Sequence, residues 1–169
     1  MKPSFQALLS HAGLIALLLF AGFFVRGVYQ PLYESELAYS GIILLAISAT
    51  TFLYHKSLAP STAREEGGFA WYVGRGFGMG IIGVIGATLL VGLYVYQVDD
   101  GYFDRRMRWE EQRLEEREIP DRAADMMLEK QREFNGYHLE EATVLIYGSF
   151  SVIVGALGAG LFFRTAKLQ

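Results

Sequence analysis

Charge and apolarity are segregated along this chain, and that limits what it can fold into more than any motif does. Although 52% of its 169 residues are apolar and 20% are charged, long uncharged stretches alternate with charged ones. A soluble domain of this size intersperses them along amphipathic elements instead. An apolar helix rises about 1.5 Å per residue and needs about twenty residues to cross the hydrocarbon core. Four stretches reach roughly that length: Ala7 to Val28, Leu37 to Tyr54, Phe77 to Val98 and Ala142 to Phe163. The expected fold class is all-α: an integral membrane four-helix bundle, one membrane domain over residues 1–169. A charged helical hairpin over 99–141 is inserted between spans three and four.

The second stretch is short and carries Ser40, Ser48, Thr50 and Thr51. Such hydroxyls can bond back to a carbonyl one turn earlier, so they are compatible with a span. A buried soluble helix is the alternative there. The first stretch, preceded by Lys2, has the look of a signal peptide, but its apolar run is long and no Ala-x-Ala pattern precedes Arg26, which favours a retained span. Tyr29, Tyr33, Tyr39, Tyr54, Trp71, Tyr72, Tyr94, Tyr96 and Tyr102 cluster where spans should meet the interface, a depth that suits amphipathic rings.

Lys2 before span one, the acidic loop with Glu34 and Glu36, and Lys56, Arg64 and Arg75 after span two place the N-terminus in the cytoplasm. Arg164 and Lys167 place the C-terminus there too. The 99–141 segment would then be periplasmic, although its eight basic residues run against a plain count. Its fourteen acidic residues bring it to −6, against −3 for the whole chain, which argues against a nucleic-acid partner. Arg26 would be an interface anchor, its stem along the helix and its guanidinium among headgroups. The chain has no cysteine, so disulfides, thiolate nucleophiles, thiolate metal sites and palmitoylation are excluded.

Spans three and four are rich in small residues four apart, a spacing that forms a shallow groove for close helix approach. Gly76 and Gly80 form one line, and Met79, Gly83 and Ala87 an adjacent one. In span four Ser151, Gly155 and Ala159 are flanked by Ala156 and Gly160. These lines predict packing between the two spans, or between two copies of the chain. Gly78, Gly80 and Gly83 also match a dinucleotide-binding fingerprint, but that loop must follow a strand. Inside a span it is a chance match.

Within 99–141, Pro120 separates two expected helices at Glu118-Ile119-Pro120-Asp121. Asp104 with Arg108 and Glu110 with Arg113 have helical pair spacing. Phe103, Met107, Trp109, Met127 and Phe134, with Ala123, are too few for an independent core. They are candidates for contact with a partner or with the membrane surface, against a plain solvated connector. Carboxylates on charged helices are routine, and no spacing shows metal ligands converging. His138 with Glu140 and Glu141 is the nearest cluster, and His11 and His55 belong at the inner interface. No catalytic residue, cofactor or metal site is expected.

Gly74-Arg75-Gly76-Phe77-Gly78-Met79-Gly80 entering span three, Tyr96-Gln97-Val98-Asp99-Asp100-Gly101-Tyr102-Phe103 leaving it, and a small-residue span ending in Phe162-Phe163-Arg164 carry a resemblance. Over most of its length the chain resembles a bacterial membrane-protein family catalogued as domain of unknown function 4199. The resemblance implies a bacterial inner-membrane location and supplies no catalytic residues. The segment from Arg105 to Arg117 is more highly charged than the family pattern.

The function expected is a non-enzymatic membrane accessory or scaffold protein, packing through small-residue helix faces and contacting a partner through the insertion. Its partners would be membrane lipids and other membrane proteins or a second copy of itself. The alternative is an oligomeric channel or transporter component, with Ser48, Thr50 and Thr51 lining a path beside the glycines of span three.

Overall fold

The computed structural model of the protein describes residues 3–28, 36–58, 68–135 and 139–165. Among them the chain forms α1 (Pro3–Val28), α2 (Glu36–Ser57), α3 (Phe69–Leu93), α4 (Tyr102–Glu116), α5 (Asp121–Asn135) and α6 (Leu139–Thr165). A π-helical turn, Tyr94–Val98, continues α3. Three segments are long and apolar enough to cross a membrane: Phe5–Val25, Phe69–Val98 and Glu140–Phe163. They fall on the first, third and fourth expected spans; the second, within α2, is not among these three. The third begins at Phe69 instead of Phe77 because Arg75 does not end the helix. Its guanidinium lies 4.7 Å from the centre of the Trp71 ring one turn earlier, so the stem runs back along the helix and carries the charge toward its N-terminal end.

The four long helices pack in a ring: α3 against α1 and α6, and α2 against α6 and α1, with the α3–α6 contact the most extensive. Their interior is built from Ala12, Ile15 and Leu19 of α1, Ile47 of α2, Met79, Val84 and Ala87 of α3, and Val152 of α6. Large aliphatic and aromatic residues face outward instead: Leu17, Leu45, Leu89, Ile146 and Phe150 are all more than half exposed. A helix that is apolar all round, with large side chains turned outward as well as inward, suits hydrocarbon as solvent.

Glycine sets the closeness of approach. A Cβ on Gly83 would lie 2.7 Å from the Ala12 carbonyl oxygen and 2.8 Å from Ile15, and one on Gly80 would lie 2.4 Å from Val152. A Cβ on Gly78 would meet nothing within 4 Å.

The expected break in the insertion is present, and its geometry is specific. α4 ends in a Schellman motif: the Ile119 N–H donates to the Leu114 carbonyl at 3.2 Å and the Glu118 N–H to the Glu115 carbonyl at 2.9 Å. Glu118 takes φ 52°, the left-handed position that favours glycine. α5 then starts after Pro120, whose carbonyl accepts from Ala123 and Ala124.

Two outcomes follow, the first in thermal unfolding of detergent-solubilised protein. Gly83→Ala should destabilise by about 1–3 kcal/mol, because the Ala12 backbone must move, while Gly78→Ala should stay within about 0.5 kcal/mol of the parent. Glu118→Gly should stabilise the hairpin by about 1 kcal/mol, read as slower amide exchange across the α4–α5 turn.

Candidate functional site

Two regions collect polar side chains that lie apart in the sequence. The first is the base of the hairpin, where α3 hands over to α4 and α6 begins. In the π turn the Asp99 N–H donates to the Tyr94 carbonyl at 2.9 Å, five residues back. In an α-helix residues five apart project to widely separated directions, whereas the wider π turn brings them nearly into line. The Tyr94 hydroxyl thereby donates to Asp99 Oδ2 at 2.9 Å, and Arg105 of α4 pairs with the same oxygen. Arg105 chiefly, with help from Tyr94 and against the effect of burial, holds the Asp99 carboxyl below the usual carboxylate range.

The next residue, Arg106, pairs with Glu140 in the first turn of α6. Glu140 is only 6% exposed, so the pair is largely removed from water. Its carboxylate and that of Glu141 sit where the helix dipole favours negative charge. A Cβ on Gly92 would lie 3.0 Å from Glu141 Oε1, so the absence of a side chain there leaves room for this carboxylate. Consecutive arginines therefore reach the end of one apolar segment and the start of the other. Glu110 and Arg113 pair at 3.0 Å, as their spacing predicted, but among the described residues no ion pair joins Asp104 to Arg108.

The residues expected to touch a partner separate into groups. Phe103 packs on the bundle core and lies with its ring 5.7 Å from that of Tyr96, so it serves the chain itself. Met107 and Trp109 are half-buried, with the Arg113 guanidinium over the Trp109 ring at 5.2 Å. Met127 is exposed, as is its neighbour Met126. The side chains of Phe134 and Arg26 lie outside the described residues, as does His138. Leu114, to which the sequence assigns no role, is buried beside the Ile119 turn, and Tyr102 is buried at the start of α4. A cleft of about 560 Å³ between α4 and α5 is lined by Leu114 and five carboxylates, Glu111, Glu115, Glu118, Asp121 and Asp125. Among the described residues no three His, Asp or Glu are placed to hold a metal ion.

The second region is at the other end of the bundle, around His55. Its ring is 1% exposed and sits among Tyr54, Tyr72 and Phe163, with centroids 5.4, 5.4 and 5.6 Å away. Neither ring nitrogen has a hydrogen-bond partner; the Tyr72 backbone comes near without reaching hydrogen-bond geometry. His11, in contrast, is half-buried and bonded through Nδ1 to the Ala7 carbonyl at 2.8 Å. Position along the chain puts both histidines at the inner interface. Only the packing of α2 against α3 and α6 distinguishes the buried one.

The small residues on the two expected packing lines, Gly76, Gly80, Gly83 and Ala87 of α3 and Ser151, Gly155 and Ala159 of α6, are buried inside the chain. A Cβ on Gly76 would press on Thr51, His55 and Ala156, and one on Gly155 on Ser48. Ala87, Ser151 and Ala159 are likewise buried. Gly78, Gly80 and Gly83 lie within one continuous helix, so the fingerprint spacing forms no phosphate-binding loop. An outward line remains: Ala70, Gly74 and Gly78 are exposed, and nothing lies within 4 Å of the Cβ positions of Gly74 and Gly78.

In comparisons with protein-family models, curated proteins and solved structures, nothing matches this chain.

The hairpin base makes two expectations. Arg106→Met strands the Glu140 carboxylate and should cost up to about 3 kcal/mol, toward the lower end of what breaking a buried pair costs; adding Glu140→Gln should recover part of it in the same unfolding assay. Asp99, whose folded-state affinity for a proton is reduced, stabilises the fold above its unfolded pKa of about 3.9, and that contribution disappears as pH falls through the still lower folded value. Asp99→Asn should therefore flatten the loss of melting temperature on acidification below about pH 4.

Proposed function

We propose that this protein is a four-span, non-enzymatic accessory or scaffold protein of a bacterial inner membrane, with both termini cytoplasmic and the 99–141 hairpin periplasmic. The resemblance to the domain-of-unknown-function family belongs to the same proposal. One observation carries the reading: the hairpin is pinned to two apolar segments through Arg105–Asp99 and Arg106–Glu140, while Met126 and Met127 of α5 are 55% and 51% exposed. A polar arm held in a fixed attitude with apolar side chains turned outward is suited to a partner at the membrane surface.

The fourth span rests on α2. It has 22 residues, about 33 Å of helix at 1.5 Å per residue, with Glu36 at one end and Lys56 at the other. Its outward residues Ile42, Leu45 and Leu53 are apolar and exposed, as lipid contact requires. The outward line Ala70, Gly74 and Gly78 adds a face on which a further helix can approach closely. The channel alternative draws less support, because Thr50 and Thr51 are only 3% and 0% exposed and Thr51 is packed against the Gly76 backbone, a close-packed contact between helices and not the wall of an open path.

Two experiments test this. Purification from native membranes in mild detergent, without overexpression, should recover other membrane proteins in stoichiometric amount, and replacing residues 102–135 by a short polar linker should release them. A defined homo-oligomer without partners would overturn the accessory role and make ion flux the next measurement. Protease added outside spheroplasts should cut within 99–141; protection there, with cleavage only after lysis, would reverse the orientation.

A further inference from the structure

We infer that His55 is a proton-operated latch at the end of the bundle: while neutral it closes α2 onto α3 and α6, and on protonation it leaves that niche and loosens the end of α2. The niche has three walls. α3 supplies Tyr72 and the bare Gly76 backbone, α6 supplies Ala156 and Phe163, and α2 supplies Thr51 and Tyr54. His55 Nε2 lies 3.1 Å from where a Gly76 Cβ would stand, so glycine is what lets the ring seat.

The niche accepts an uncharged ring and is poorly built for a cation. The ring is 1% exposed and neither nitrogen has a hydrogen-bond partner; among the described residues the Tyr72 backbone is the one nearby acceptor and can serve a single N–H, so an imidazolium would be desolvated with its other N–H unsatisfied. The described titratable and charged groups facing it offer no compensation. On α3 they are the Tyr72 phenol and the Arg75 guanidinium, whose charge acts on the ring; on α2 they are Tyr54 and the exposed Lys56. Among its described residues α6 presents the apolar Ala156 and Phe163 there, and the imidazole of α1, His11, faces Tyr54. Ionisable groups inside a membrane bundle are expensive to keep and are commonly retained for a function.

The linkage is quantitative. If the seated ring takes up no proton while the released ring titrates as an ordinary imidazole near about pH 6.5, the opening equilibrium grows by up to tenfold per pH unit below that value. Between about pH 8 and about pH 5 it rises about thirty-fold. Gly76→Ala, which crowds the ring, should raise opening at both pH values and leave their ratio unchanged.

Amide hydrogen exchange on the full chain in lipid nanodiscs tests this, after correction for the intrinsic pH dependence of exchange. Exchange across residues 51–57 should accelerate about thirty-fold from about pH 8 to about pH 5, while residues 84–91 of α3 stay unchanged. The acceleration should vanish in His55→Gln and in His55→Phe, which keep polarity and ring shape respectively. A flat response in the parent protein overturns the latch, as does an equal response at residues 84–91 or an acceleration that persists in either variant that folds.

Discussion

Close approach of α3 and α6 is the contact on which the remaining architecture depends. Lipid tails are as apolar as leucine, so water does not drive these helices together; van der Waals contact must, and it falls off within an ångström of separation. Glycine supplies the missing distance. Gly80 admits Val152 of α6, Gly83 admits Ala12 and Ile15 of α1, and Gly76 admits Thr51 and His55 of α2. One helix thus presents a different bare patch to each of three neighbours. α3 is the common partner that holds α1 and α6, which barely touch one another, in a single bundle.

The hairpin depends on the same geometry at one remove. Its two arginines meet Asp99, which follows the last turn of α3, and Glu140, in the first turn of α6, so the separation of those carboxylates is set by how closely the two helices pack. The π turn adds a local condition: without its extra residue, Tyr94 and Asp99 would not line up to share a hydrogen bond. Aromatic rings fill the space beneath. Phe20, Phe23 and Phe24 of α1 meet Tyr94, and Phe23 also meets Tyr102 at the start of α4, which joins the membrane bundle to the arm with ordinary ring contacts.

Hydrophobic length and the Pro120 break made the helices legible before any coordinates, because both are properties of contiguous sequence. Tertiary facts were not legible. Glycines at 74, 76, 78 and 80 satisfy four-residue spacing on two opposite faces of a helix, and spacing alone does not say which line turns inward. Gly76 and Gly80 turn inward, whereas Gly74 and Gly78 face outward. The charge of Arg75 suggests a boundary, yet the apolar segment begins at Phe69, since a charge marks a boundary only when its stem cannot run along the helix to reach polar surroundings. Asp99–Arg105 and Arg106–Glu140 bridge turns and elements, so no i, i+4 rule finds them. The isolation of His55 arises from three helices meeting, which periodicity within one helix cannot report.

The order of synthesis gives the α3–α6 contact a meaning of its own. α3 leaves the ribosome before the whole hairpin and before its principal partner, so for that interval Gly80, which Val152 of α6 fills, faces lipid or the insertion machinery, while Gly76 can already receive Thr51 and His55 of α2. Over this period the bundle lacks the helix that its bare surface fits. Docking of α6 is therefore a late event, and a chain halted within the hairpin would keep the Gly80 notch open, its bundle missing the one helix shaped to close it.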